Sequence, residues 1–169
     1  MVAALDLAGH AEEVLAIQRR AMGRLDERDA AYVAAHARRR GHRAFGAWSD
    51  GQLVGFAYGH DCGVDDWWTL QIGTVVPVEL LVDAFSVVEL HVSPEAQGRG
   101  TGRALLRRLL AGVPRRRVLL SAYDEPTPAR RLYRSEGFRE LAANFVFPTD
   151  AQPYVILAAD LPLDSSRQT

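Results

Sequence analysis

The feature that most constrains this chain is a run of alternating glycines, Gln97-Gly98-Arg99-Gly100-Thr101-Gly102, between an apolar segment and an amphipathic one. The segment before it, Val87–Val92, is rich in β-branched residues and is typical of a buried strand. The segment after it carries leucines at helical spacing on one face and arginines on the other: Leu105, Leu106, Leu109 and Leu110 against Arg103, Arg107 and Arg108. A strand, a glycine turn and a helix in this order predict a fold of mixed α and β structure.

The chemistry that such a turn favours is the binding of an anion. The first turn of a helix presents free backbone N–H groups and a partial positive charge, and glycines let a bulky anion approach the backbone. A diphosphate is the expected guest. The spacing differs from both the G-x-x-x-x-G-K-[ST] and the G-x-G-x-x-G phosphate loops, and the chain contains no lysine. The alternative is a flexible turn with no ligand.

A second motif follows downstream, in the segment Ala129-Arg130-Arg131-Leu132-Tyr133-Arg134-Ser135-Glu136-Gly137-Phe138. Together the two motifs resemble the GNAT superfamily of acyl-CoA N-acyltransferases. The glycine run matches that family's Q/R-x-x-G-x-G/A acetyl-CoA signature, and the second segment matches its A-x-x-L-Y-x-x-x-G-F helix. The resemblance covers roughly residues 43–161.

The resemblance implies an α/β (α+β) fold. The expected sheet is mixed, mostly antiparallel, with six to seven strands and two splayed central parallel strands, Val87–Val92 and Val118–Tyr123, flanked by about four helices. We expect one domain over residues 1–169, because a chain of this length buries its own core. Residues 161–169 are expected to form a flexible tail.

Local patterns predict the other elements. Strands are expected near 2–7, 44–48, 53–58, 138–147 and 152–161, and helices near 8–22, 27–40, 78–83 and 127–137. The segment Ser49-Asp50-Gly51-Gln52 predicts a hairpin turn. Residues 60–85 are the least regular part of the chain.

The implied co-substrate is acetyl-CoA. The resemblance places the pantetheine arm along the central strand and the diphosphate on the backbone N–H groups of the glycine run. The cofactor-binding residues that follow are Leu90, His91, Val92, Gln97, Gly98, Arg99, Gly100, Thr101, Gly102 and Arg103. No metal site is expected.

Tyr133 matches the family tyrosine whose hydroxyl meets the thioester sulfur and can protonate the departing thiolate. The alternative is a tyrosine that packs in the core. The general base is less well defined, because Ser86 stands where many relatives have a carboxylate. Glu89 is our prediction; His91, a water chain or an acid from the Asp61–Asp66 loop are the alternatives. A second departure is Pro126, near a position where many relatives have an asparagine that contacts CoA.

The acceptor pocket is predicted in the irregular segment. Asp61, Trp67 and Trp68 combine negative charge with aromatic faces, which suits a cationic amine. A surface loop whose tryptophans pack in the core is the alternative.

These observations predict an N-acetyltransferase that moves an acetyl group from acetyl-CoA to a primary amine of a small molecule or peptide by direct attack. Alternatives are a non-catalytic acyl-CoA-binding module and an acetyltransferase of protein N-termini. The net charge of −1 gives no reason to expect nucleic acid or a membrane as partner, and the resemblance allows a homodimer. With the single Cys62 and no signal or spanning segment, we expect a cytoplasmic protein.

Overall fold

The computed structural model describes residues 1–23 and 29–163. Within them lie seven strands: β1 (Val2–Ala4), β2 (Arg43–Ser49), β3 (Gln52–Asp61), β4 (Ala84–Val92), β5 (Arg117–Tyr123), β6 (Arg139–Val146) and β7 (Pro153–Asp160). The described helices are α1 (Ala11–Met22), α2 (Ala30–His36), α3 (Trp67–Ile72), α4 (Val78–Leu81), α5 (Thr101–Leu110) and α6 (Pro128–Ser135), with a 3₁₀ turn at Pro94–Ala96.

The strands form one sheet in the order β1-β2-β3-β4-β5-β7-β6. Strands β4 and β5 are its parallel pair, with Ala84 opposite Arg117 and Ser86 opposite Leu119. The predicted mixed, mostly antiparallel sheet with a central parallel pair is therefore confirmed. The crossover that a parallel pair requires contains α5, which follows the glycine run.

The chain divides into two compact units. The first comprises Met1–His60 and Val87–Ala111. In it, α1 and α2 cover one face of β1–β3 through apolar side chains that include Val14, Leu15, Val33, Phe56 and Tyr58. Helix α5 packs against β1 and β2 with its leucine stripe buried. The amphipathic pattern of the sequence thus sets which face of α5 meets the sheet.

The second unit comprises Asp61–Ser86 and the chain from Gly112 onward. An apolar cluster of this unit joins Ile72 and Val76 from the α3–α4 segment to Leu119 on β5 and Ile156 on β7. Strands β5 and β7 pair antiparallel over their whole length, whereas the pairing of β6 with β7 is irregular between Glu140 and Phe145.

Most predicted elements lie within a few residues of their observed positions. Strand β1 is shorter than predicted, and α1 begins at Ala11. Helix α2 is shorter than the prediction of 27–40; residues 27 and 28 lie outside the described residues, as do residues 164–169 of the predicted tail. The main addition is α3, in a segment predicted to be irregular. Asp66 caps this helix by accepting from the backbone N–H of Thr69 at 3.2 Å.

Candidate active site

The glycine run forms a turn whose two ends are fixed by side-chain hydrogen bonds. Gln97 Nε2 donates to the carbonyl of Val92, at the end of β4, at 2.9 Å. Thr101 Oγ1 donates to the carbonyl of Ala96 at 3.2 Å. The turn is therefore held to the end of β4 and to the 3₁₀ turn that lies between β4 and the glycine run.

Two glycines in this turn adopt left-handed backbone conformations, Gly98 with φ of +73° and Gly100 with φ of +79°. A Cβ atom added at either position would meet no atom within 4 Å. The glycines are thus required by backbone conformation and not by crowding within the protein. The space over both positions is open to a ligand.

Helix α5 begins directly after this turn. Its N-cap is Gly100, which has no side chain to accept a hydrogen bond from the first-turn N–H groups. The first helical hydrogen bond runs from the Ala104 N–H to the Gly100 carbonyl at 3.0 Å. The N–H groups of Thr101, Gly102 and Arg103 precede it, so the turn offers donors and a positive helix end to an anion.

A pocket of about 460 Å³ opens beside the turn. Its lining includes Trp48, Val54, Arg99, Gly100 and Thr101. Arg99 and Gly100 are exposed, so solvent and solutes reach the turn from this side.

The structure brings Glu89 and His91 together on one face of β4. His91 Nε2 lies 2.7 Å from Glu89 Oε2, and both side chains are mostly buried. Gln18 Nε2 on α1 donates to Glu89 Oε1 at 3.5 Å. The carboxylate is therefore oriented from two elements, with one oxygen in contact with Gln18 and the other with the His91 imidazole.

Gln18 is a site neighbour that the sequence interpretation missed. Its exposure is only 2%, on the inner face of α1 beside Val14 and Leu15. A polar side chain at a buried helix position needs a partner, and that pattern is the signal by which it could have been found.

Tyr133 lies in the second unit, on the inner face of α6. Its exposure is 6%, and its ring centroid is 5.5 Å from that of Phe138. The helix is positioned by Thr127, whose hydroxyl accepts from the Arg130 N–H at 3.2 Å, and by Pro128 in its first turn.

The residues of the predicted acceptor pocket have different environments. Both carboxylate oxygens of Asp61 accept from Arg115, so its charge is balanced. Trp68 Nε1 donates to Ser121 Oγ at 3.1 Å, and the indole packs against the second unit's apolar cluster. Trp67 is 46% exposed, with its ring 5.7 Å from Phe147. Of the three, Trp67 is the most accessible to a solute.

Cys62 is the free cysteine of the chain, and burial raises the pKa of its thiol to about 12. Its environment keeps the sulfur protonated at neutral pH, and a thiol is a much weaker nucleophile than a thiolate. Among residues 1–23 and 29–163 no cluster of three or more His, Cys, Asp or Glu is arranged to hold a metal ion. The helices described there are all too short or too polar to cross a bilayer.

Two central parallel strands, joined by a fixed glycine turn and the amphipathic helix that it opens, form the arrangement expected of an acyl-CoA N-acyltransferase fold. The chain belongs to the GNAT family: residues 40–140 match the model of the acetyltransferase (GNAT) domain. The predicted family is therefore confirmed.

Two curated relatives come from Mycobacterium tuberculosis. A GCN5-like protein acetyltransferase is 37% identical over 127 residues, which cover 68% of this chain and 62% of the relative. The N-alpha-acetyltransferase RimI is 36% identical over 96 residues, which cover 57% of this chain and 51% of the relative. The matched region thus spans between half and two thirds of these relatives.

Solved structures share the fold over nearly the whole chain. An acetyltransferase from Salmonella typhimurium, described with its cofactor acetyl-CoA, has a TM-score of 0.72 at 18% identity, covering 98% of this chain and 96% of that one. The ribosomal-protein-S18-alanine N-acetyltransferase of Escherichia coli has a TM-score of 0.69 at 20% identity, with the same coverage. At these identities the likeness is one of fold.

Proposed function

We propose that this protein is an acetyl-CoA-dependent N-acetyltransferase that acts on a primary amine of a small molecule or peptide. The observation that carries the proposal is the glycine turn, which is fixed at both ends and leads into a helix start without a side-chain cap. The relatives named above are described as acetyltransferases, which supports this class of reaction. We also propose that the whole chain works as one domain.

In this proposal the diphosphate of acetyl-CoA binds the N–H groups from Gln97 to Arg103, and the pantetheine arm follows the backbone of Leu90, His91 and Val92. The Val92 carbonyl already accepts from Gln97. The remaining backbone groups of this stretch are therefore the stronger candidates for pairing with the arm. Arg99 and Arg103 add positive charge on either side of the turn.

The amine must lose a proton before it attacks, because an alkyl ammonium has no lone pair. We propose Glu89 as the acceptor of that proton, oriented by Gln18 and in contact with His91. The amine nitrogen then forms a bond to the acetyl carbon as the bond from that carbon to sulfur breaks.

We propose that the Tyr133 hydroxyl stabilises the departing thiolate. A phenol with a pKa of about 10 and a thiol with one of about 8.5 make full proton transfer uphill by roughly 2 kcal/mol. Tyr133 therefore acts mainly by donating a hydrogen bond to the negative charge that develops on the thioester sulfur. Attack by the amine directly on the thioester agrees with the protonated state of the Cys62 thiol.

The first test is a calorimetric titration of acetyl-CoA into the wild type and Gly100→Glu. The matched control is Gly51→Glu, because Gly51 lies in the β2–β3 turn with φ of +78° and equally open surroundings. We expect binding in the wild type and the control, and its loss in Gly100→Glu. Binding that survives Gly100→Glu, or no binding by the wild type, would contradict the proposal.

A screen of amines with acetyl-CoA then tests catalysis. Acetyl transfer to any amine supports an enzyme. Tight binding of acetyl-CoA without turnover on a broad panel of small amines and peptides would favour a non-catalytic acyl-CoA-binding module.

A further inference from the structure

Two arginine side chains lie against one phenylalanine ring in the first unit. The Arg43 Cζ atom lies 5.6 Å from the ring centroid of Phe45, and the Arg108 Cζ atom lies 5.2 Å from the same centroid. Both guanidinium groups therefore lie near the same ring. Arg43 is distant in sequence from the residues proposed to bind acetyl-CoA, whereas Arg108 follows the last of them, Arg103, by five residues on α5.

The fold explains how they meet. Arg43 and Phe45 are two residues apart on β2, so their side chains leave the same face of the sheet. Helix α5 packs against β2, with Leu105 and Leu109 fully buried. Arg108 lies at the border of that buried stripe, where it reaches over the strand and remains exposed.

The charges of this pair are not balanced by the described part of the chain. Other arginines have carboxylate partners there: Arg20 with Glu95, Arg115 with Asp61, Arg130 with Asp124 and Arg139 with Asp160. Arg43 and Arg108 have no such partner among residues 1–23 and 29–163; their contacts are with Phe45.

Burial, and then the charge of Arg108, lower the pKa of the Arg43 guanidinium. The two cations therefore repel each other, and a cation–π contact offsets only part of that repulsion at an exposed site. An anion with two charges would remove the repulsion.

We propose that Arg43 and Arg108 form a binding site for a dianionic phosphate group, separate from the glycine turn. A guanidinium presents paired N–H donors that match phosphate oxygens. A phosphate monoester carries a net charge of roughly −1.5 to −2 at neutral pH. Two arginines at one ring thus offer the donors and the charge that suit this group.

The probe for the test is inorganic phosphate, titrated calorimetrically in chloride buffer. We expect the wild type to bind it, and Arg43→Gln and Arg108→Gln each to bind it about tenfold more weakly, as loss of one charge-assisted contact implies. Arg108→Lys retains the charge but not the paired donors, so an intermediate affinity is expected. Arg19→Gln removes an exposed cation of the same unit on α1 and should leave the affinity unchanged.

Two comparisons test whether the site selects dianions and whether it is separate from the glycine turn. Sulfate, which is also a dianion, should compete, whereas acetate should not. Gly100→Glu should retain phosphate binding, and Arg108→Gln should retain acetyl-CoA binding. Failure of acetyl-CoA to bind the wild type would contradict the proposed function alone.

Three results would overturn the inference. The first is the absence of phosphate binding by the wild type. The second is equal binding by the wild type and both glutamine variants, with circular dichroism showing that all are folded. The third is a parallel loss of acetyl-CoA binding in Arg108→Gln, which would assign the pair to the acyl-CoA site.

Discussion

Tyr133 combines a packing role with a proposed chemical one. Its ring is buried against Phe138, and its backbone carbonyl accepts hydrogen bonds from the N–H groups of Glu136 and Phe138 where α6 ends. The ring therefore belongs to the core whether or not the hydroxyl acts in catalysis. A substitution that removes only the hydroxyl separates the two roles.

For Tyr133→Phe we expect kcat to fall about a hundredfold, within the range of acid–base contributions of positioned side chains. The KM for acetyl-CoA and the melting temperature should change little, because the ring remains. Steady-state kinetics with thermal unfolding measures both. Tyr32→Phe, at a tyrosine that is 43% exposed on α2, is the control. An unchanged kcat would leave Tyr133 with a packing role only.

Glu89 is predicted to be the residue through which the amine proton leaves. Glu89→Gln keeps the size of the side chain and the contact with Gln18 while removing the basic oxygen, so kcat should fall by about 10²–10⁴. His91→Gln should have a smaller effect, because it removes a neighbour of the carboxylate and not the carboxylate itself. If His91→Gln proves the more damaging in single-turnover measurements, the assignment of the base must be reversed.

At the scale of an element, the glycine turn acts through its backbone. Gly98 and Gly100 have positive φ values, but no atom of the protein would contact an added Cβ. Gly55 on β3 differs: a Cβ there would lie 3.0 Å from the carbonyl oxygen of His91. The positive φ values require glycine at positions 98 and 100 of the turn. At position 55, glycine is required because β3 approaches β4 closely.

This distinction predicts the effect of alanine in the turn. Gly100→Ala should destabilise the protein by about 1–2 kcal/mol, since an L-residue is strained at that φ. The corresponding fall in melting temperature is roughly 2–8 °C for a chain of this size. The affinity for acetyl-CoA should fall far less than in Gly100→Glu, because a methyl group fills little of the open space. Calorimetry on both variants checks this, and equal loss of binding would show that the ligand contacts the Gly100 Cα directly.

The elements that the sequence predicted correctly are those with strong local signals. The leucine stripe of α5 and the Ser49–Gln52 turn are two examples, and both are set by contacts near in sequence. Helix α3 was missed because two of its apolar residues, Trp67 and Leu70, lie on its exposed face, against the usual pattern, while Trp68 and Ile72 pack inward. The Asp66 cap was the available signal.

At the scale of the whole molecule, the contacts that shape the candidate site join distant parts of the sequence. Gln18 meets Glu89 across 71 residues, and Asp61 meets Arg115 across 54. The motifs indicated which residues to propose for the chemistry, but no local pattern predicted these partners. For the same reason the sequence did not predict that Arg43 and Arg108 share one aromatic ring.

The pH dependence of stability follows from a group of histidines in the first unit. His36 and His60 stack with ring centroids 5.7 Å apart. Burial, and then the charge of His60, lower the pKa of His36; the Tyr32 carbonyl and Glu89 raise it, and Arg39 lowers it. Burial, then His60 and His36, lower the pKa of His42. Both imidazoles are therefore harder to protonate in the folded chain than in the unfolded one.

As the pH falls below the ordinary histidine value of 6.5, the unfolded chain binds protons that the folded chain does not. The stability that neutral His36 and His42 contribute to the folded chain is thus complete above pH 6.5. It decreases as the pH falls from there toward the lowered pKa values of these two side chains. We expect denaturant unfolding to give a smaller free energy at pH 5 than at pH 7, and equal values at pH 7 and 8. His36→Gln should reduce that difference, because glutamine does not titrate. A wild type that is more stable at pH 5 than at pH 7 would show that the folded chain takes up more protons than the unfolded chain over this range, which contradicts the prediction.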